Sequence, residues 1–330
     1  MKVLVVGLGS MGKRRIRLMQ AFFGDIVIAG VDDNQERRRQ AAELFSVQVY
    51  DCIGLALASF MPDAGFVCAP PSAHADIIKS LLNHGAHVFS EINLTGKGYE
   101  ENIALAKKSS RVLFLSSTPM YRAEIEYITG RAAGKSKLIY RYHVGQYLPD
   151  WHPWEKYTDF FVKDKETNAC RELFAIELPW MIKAFGNIVR FSSESKKLTG
   201  LTIDYPDCYI LTMTHESGAA GQLIIDVVSR KAIRELEIFA EELYLRWGGT
   251  PDSLYDYDIV SKQDIKVECY ENAQRDNRYA ENIIENAYVE EIIDFFSRVD
   301  GKSSNIPPKH CFEADIDILK LIDEIEGTNT

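Results

Sequence analysis

Val3-Leu4-Val5-Val6-Gly7-Leu8-Gly9-Ser10-Met11-Gly12 decides the fold. The four leading residues are apolar on both faces, as a strand covered by helices on each side has to be. Glycines follow at once, and the next segment places Ile16, Met19 and Phe23 on one helical stripe. Strand, glycine loop and helix together are the context in which a Gly-x-Gly-x-x-Gly match carries meaning. Gly7 permits the tight turn, Gly9 the close approach of a pyrophosphate and Gly12 the close packing of helix on strand. Backbone N–H groups at the helix start, including those of Ser10 and Met11, then bind the phosphates with help from the helix dipole. Twenty residues after Gly12, Asp32 places a carboxylate where adenosine ribose hydroxyls would lie. That acid repels a 2′-phosphate and predicts NAD in preference to NADP. Arg37, Arg38 and Arg39 on the following helix could offset that repulsion, with a solvated helix face as the plainer reading.

Beyond this stretch the pattern repeats. Short apolar runs begin near Val3, Ile26, Val47, Gly65, His87 and Val112, with helical spacing between them, as in Ile77, Ile78, Leu81 and Leu82. Alternating strands and helices predict an α/β domain over residues 1–118, a doubly wound parallel sheet with right-handed crossovers. After Pro119 the rhythm changes. A helix is expected around Glu124 to Arg131, a strand over Leu138 to Tyr147, then an aromatic loop with Trp151, His152 and Trp154. A second helix runs from Glu172 to Phe185 and ends at Gly186. Strands dominate Leu198 to Cys269, with a turn at Glu216-Ser217-Gly218, and helices return at Ile283 to Ser297 and Glu313 to Glu324. Residues 119–330 therefore read as an α+β domain with an open mixed, largely antiparallel sheet, whose last helix packs back on the first domain.

At 330 residues, 46% hydrophobic and 26% charged, the chain has the composition of a soluble two-domain protein. Met1-Lys2 leads into a strand rather than a secretion signal, and no apolar stretch approaches a membrane span, so a cytoplasmic location is expected. The net charge of -10 divides unevenly: residues 1–118 hold 13 basic and 11 acidic side chains, which leaves -12 for residues 119–330. An acidic surface argues against nucleic acid and anionic membrane as partners. The six cysteines show no Cys-x-x-Cys pair, so neither zinc ligation nor a redox motif is expected. His84 and His87 flank a turn and are not read as metal ligands.

These residues resemble the Gfo/Idh/MocA family of NAD(P)-dependent oxidoreductases, which act mostly on sugars, inositols and sugar nucleotides. The resemblance rests on the glycine loop with Asp32, on Ala69-Pro70-Pro71-Ser72-Ala73-His74, on His87-Val88-Phe89-Ser90-Glu91 and on Pro119-Met120-Tyr121-Arg122. It implies a cofactor site built from Gly7, Leu8, Gly9, Ser10, Met11, Gly12, Asp32, Asp33, Arg37, Ala69, Pro70, Pro71, His74, Glu91 and Ile92. It also implies a homodimer or homotetramer through the second domain's sheet.

Two positions depart from the family pattern. Ile92 stands where the family's Glu-Lys-Pro places a lysine, and Ile176 stands where its Asp-x-x-x-His helix places a histidine, with Glu172 at the aspartate. Hydride transfer at a carbinol carbon needs a partner for the hydroxyl proton, and isoleucine cannot be one. His152, Tyr157 and Glu172 are the replacement candidates. Tyr121, Arg122, Trp151, Trp154, Arg171 and Ile176 are read as substrate contacts, with the tryptophans as stacking faces and Arg171 as a bidentate anion holder. Glu172 and Glu177 lie five apart, so at most one faces a site. The leading expectation is an oxidoreductase of a sugar-type CH–OH group. An NAD-using elimination or hydrolysis, and a catalytically silent NAD-binding sensor or partner subunit, stay open beside it.

Overall fold

The computed structural model describes residues 1–151, 155–276, 280–303 and 305–327. The chain divides into two compact units, Met1–Ser117 with Tyr288–Leu319, and Thr118–Ala287 with Lys320–Thr330.

The first unit is a six-stranded, wholly parallel sheet in the order β3-β2-β1-β4-β5-β6. Its strands are β1 (Lys2–Val6), β2 (Val27–Val31), β3 (Gln48–Tyr50), β4 (Ala64–Val67), β5 (His87–Ser90) and β6 (Leu113–Leu115). Helices α1 (Ser10–Phe22), α2 (Gln35–Phe45), α3 (Ile53–Phe60), α4 (His74–His84) and α5 (Tyr99–Ser109) make the crossovers. Burial explains the sequence of β1, whose Val3, Leu4 and Val5 are wholly enclosed. The strand order reverses between β1 and β4, so a crevice opens at their carboxyl ends. Most of α8 (Glu285–Val299) belongs here too. Its Phe295 meets Phe66, Phe89 and Phe114 edge-on, with ring centroids 5.3, 5.6 and 5.9 Å away.

The second unit holds an eight-stranded sheet in the order β14-β13-β12-β11-β7-β10-β9-β8. These are β7 (Ile139–Gly145), β8 (Ile188–Lys196), β9 (Cys208–His215), β10 (Ala220–Asp226), β11 (Ile233–Ala240), β12 (Leu243–Trp247), β13 (Leu254–Asp258) and β14 (Gln263–Lys266). All pairings are antiparallel except β7 with β10, which makes the sheet mixed. Helices α6 (Ala123–Ala132) and α7 (Ala169–Phe185) lie in this unit, and α9 (Phe312–Glu326) closes the order of elements. Tyr140 stacks on Phe185 at 4.4 Å and Tyr142 meets Trp180 edge-on at 5.4 Å, which seats α7 on the sheet. Gly186 does end α7, with φ 93° and ψ 171°, a region open essentially to glycine but distinct from the left-handed helical cap. Among the described residues no helix is long and apolar enough to cross a membrane.

Candidate active site

In the first unit the glycine loop is shaped by close contacts. Gly7 has φ +94°, and a Cβ there would sit 2.6 Å from Cys68 and Ala69 backbone atoms. A Cβ at Gly12 would lie 1.9 Å from the Gly7 carbonyl oxygen. At Gly9, by contrast, a Cβ would meet nothing within 4 Å, and α1 begins there with no side-chain cap. Open space against an uncapped helix start is what a pyrophosphate requires, so these residues fit a dinucleotide. Asp32 is buried at the end of β2 and accepts from Leu8 N at 2.7 Å and Asn34 N at 2.9 Å, which fixes its carboxylate beside the loop. The Arg37 guanidinium lies 4.0 Å from Asp32, while Arg38 donates to the Asp32 and Asp33 carbonyls at 2.7 and 2.9 Å. Asp33 itself is exposed.

Across the crevice, Ala69, Pro70 and Pro71 follow β4. His74 holds this loop: Nε2 lies 2.7 Å from the Ala69 carbonyl and Nδ1 lies 2.7 Å from the Asn93 side-chain amide. Burial lowers the His74 pKa, so the ring is neutral and positions the loop rather than carrying charge. Asn93 also interacts with the Tyr99 hydroxyl, which donates to Asp315 at 2.6 Å, and Asp315 in turn pairs with His310 at 2.9 Å.

Glu91, read from sequence as a cofactor contact, points its carboxylate into the fold. Arg15, wholly buried on α1, donates to Glu91 at 2.6 and 3.2 Å and to Glu291 of α8 at 2.7 Å. Glu291 also accepts from Ser116 Oγ at 2.9 Å and Ser117 N at 2.8 Å. What Glu91 offers a cofactor is its place in the chain at the end of β5. Ile92 follows, half-buried.

In the second unit, α7 runs antiparallel to β7. Tyr140 near the strand's start packs on Phe185 at the helix's end, and the Tyr142 hydroxyl reaches Glu177 in mid-helix at 2.7 Å. The first turns of α7, with Glu172, therefore lie toward the carboxyl end of β7, where Gln146 and Tyr147 leave the sheet. Glu177 also accepts from Trp180 Nε1 at 2.7 Å and pairs with Arg234, so it is a packing hub beneath the sheet. Glu172 and Ile176, one helical turn apart, are both half-buried on another face of the helix. Among the described residues the Glu172 carboxyl has no hydrogen-bond or ion-pair partner, and burial pushes its pKa up to about 7.

Two substrate readings are corrected. Arg171 is buried and committed to Glu326 at 2.6 Å and Asp323 at 2.7 Å, so its fork is already filled by carboxylates. Arg122 is likewise buried: it pairs with Glu124 at 2.6 Å, donates to the Gly249 and Asn282 carbonyls at 2.9 Å and lies over the Trp247 ring. Tyr121 is buried beside it in sequence. The Tyr157 hydroxyl accepts from Thr202 N at 3.2 Å, and Trp151 Nε1 donates to the Gln146 carbonyl at 3.0 Å. His152 and Trp154 lie outside the described residues.

Comparison with known proteins bears on the fold and on the first unit's family. Residues 1–117 match the family model GFO_IDH_MocA, described as an oxidoreductase family with an NAD-binding Rossmann fold. Over those residues the chain is similar to the Gfo/Idh/MocA oxidoreductases. Biliverdin reductase A of Mus musculus is 29% identical over 138 residues, which cover 41% of this chain and 46% of that protein, so the match spans less than half of the curated relative. Among solved structures, UDP-N-acetylglucosamine 3-dehydrogenase from Acidithiobacillus ferrooxidans superposes with a TM-score of 0.76 at 18% identity, covering 99% of this chain and 97% of its own. A biliverdin reductase from Synechocystis, solved with biliverdin and NADP+, gives 0.73 at 13% identity, covering 98% and 97%.

Proposed function

We propose that the chain is an NAD(P)-dependent oxidoreductase that moves a hydride between the nicotinamide and a CH–OH carbon of a sugar-type substrate, with Glu172 as the group that takes or gives the hydroxyl proton. Glu172 carries this reading. It stands at the family's aspartate position, it has no partner among the described residues, and a pKa near 7 lets one carboxyl act as base or acid at neutral pH. The cofactor, when bound, supplies or accepts the hydride. Gly9 and the start of α1 hold its pyrophosphate, and Asp32 accepts from its ribose hydroxyls. His74 fixes the Ala69 to Pro71 loop across the crevice. Asp32 supports NAD over NADP, with Arg37 as the side chain that would tolerate a 2′-phosphate. His152 and Tyr157 remain proton-relay candidates beside Glu172.

A fluorescence titration of nucleotide-stripped protein with NADH and NADPH tests the cofactor half. Tighter NADH binding is expected, weakened by about 10- to 100-fold in Asp32→Ala, because the variant loses the ribose acceptor and leaves the Leu8 N–H unmatched. Equal binding by the variant would remove Asp32 from the site. Transfer of deuterium from labelled NADH to a sugar or sugar-nucleotide ketone tests the chemistry.

A second reading is favoured by the isoleucines at 92 and 176. Hydride delivery into a long conjugated system spreads the charge over many atoms and needs no proton donor at the reacting carbon. The relatives named biliverdin reductase support it. Under that reading Glu172→Gln would leave turnover unchanged.

A further inference from the structure

At the carboxyl end of β7 and β10 lies a cation that the proton chemistry does not use. The two strands run parallel with Gly145 opposite Asp226, and they leave the sheet side by side. Tyr147 N donates to the Ser229 carbonyl at 2.7 Å and Leu148 N to the Val227 carbonyl at 3.1 Å. This pairing brings Arg230 over the Tyr147 ring, 3.7 Å from its centroid. Trp151, held to Gln146 by its indole N–H, belongs to the same loop.

What sets Arg230 apart is its fixed place on the Tyr147 ring combined with the absence of a carboxylate partner among the described residues. Residues 119–330 carry a net -12, the total of -10 less the +2 of residues 1–118. In the second unit most arginines, among them Arg122, Arg171, Arg234 and Arg275, hold a carboxylate, whereas Arg190 and Arg230 have none among the described residues. Arg230 is exposed and, among the described residues, has neither a hydrogen bond nor an ion pair, and the same is true of its neighbour Lys231. A guanidinium stacked on a ring keeps its plane fixed while its edge N–H donors stay available, which is the geometry for a two-point hold on a planar or tetrahedral anion. Because α7 is antiparallel to β7, Glu172 lies toward this same end of the sheet.

We infer that Arg230, held on Tyr147 and assisted by Lys231, binds an anionic group of the substrate, a carboxylate or a phosphate, beside the Glu172 chemistry. The inference rests on the oxidoreductase reading for the identity of the ligand as a substrate, and it adds the requirement that the substrate carry a negative charge where Arg230 meets it.

The test is calorimetry on the full chain saturated with NADH. Uridine diphosphate and 3-phenylpropionate are the probes, with uridine and 3-phenylpropionamide as their neutral counterparts. At least one anion should bind about tenfold more tightly than its counterpart, Arg230→Ala should remove that margin, and Arg230→Lys should restore part of it. The probe that responds distinguishes phosphate from carboxylate. The neutral compounds and NADH should bind the variant as they bind the parent, which also shows that the variant is folded. An Arg230→Ala protein that holds both anions within twofold of the parent, or a parent that prefers neither anion, overturns the subsite. Failure of the parent to bind NADH would count against the oxidoreductase reading instead, and the anion titration repeated without NADH would still decide the subsite.

Discussion

Glu172→Gln is expected to lower turnover by about 10²- to 10⁴-fold, the range for removing a general acid–base group, with NADH affinity unchanged. Glutamine keeps the shape and hydrogen-bonding capacity of the side chain but cannot exchange a proton, so the loss belongs to kcat. In the parent, the raised pKa sets the direction of the pH profile. Alcohol oxidation needs the carboxylate and should rise with pH through about 7, whereas carbonyl reduction needs the acid and should fall through the same pH. A stability effect accompanies it. A carboxyl whose folded pKa lies above its unfolded value binds more protons when folded, so it loses stability as pH rises from the unfolded value through about 7. Glu172→Gln should therefore raise Tm at pH 8 and leave it nearly unchanged at pH 4. An inactive variant with no such pH-dependent gain would point to a packing role for Glu172 and remove it from the chemistry.

Arg15→Ala should be the most destabilising single change in the first unit, at about 3–5 kcal/mol, because it leaves buried carboxylates without their cation. Glu91 and Glu291 both depend on Arg15, and burial already holds the Glu291 pKa above the usual carboxylate range in the parent. Without the guanidinium that shift grows in the same direction. The variant's deficit should then be largest at pH 7 and narrow toward pH 4, where protonation removes the buried charge. Denaturant unfolding of parent and variant at the two pH values measures this. A deficit independent of pH would mean that lost packing against Phe89 and Tyr288, over whose rings Arg15 lies at 4.5 and 5.1 Å, outweighs electrostatics.

The first unit was largely legible in the sequence because its strands are buried on both faces and its phosphate loop needs glycine at fixed places. Val3 to Val6 and the contacts that forbid a Cβ at Gly7 and Gly12 are the structural counterparts of that pattern. The second unit was legible as strands and helices, but the one parallel pairing, β7 with β10, has no signature in residue spacing. Arginines were read least well. Arg122 and Arg171 attract a functional reading by position, yet Arg122 is taken up by Glu124 two residues on and by the distant Gly249 and Asn282 carbonyls, and Arg171 by Asp323 and Glu326, a long-range pairing that no local pattern announces. Arg15 could have been suspected, since it stands directly before Ile16 of the apolar stripe on α1. Arg230 has no sequence signal at all, because its partner ring is brought to it by the parallel pairing.

Phe295 and Glu291 fill the centre of a unit whose strands are all made by Ser117, while its α8 and the first half of α9 come after residue 287. On the ribosome, residues 118–287 must be made before α8 can emerge, a delay on the order of 10–30 s at elongation rates of about 5–20 residues per second. Through that interval the faces of Phe66, Phe89 and Phe114 and the buried side of Arg15 await their cover. The nascent nucleotide-binding half thus exposes core surface of the kind that chaperones cover until α8 is made.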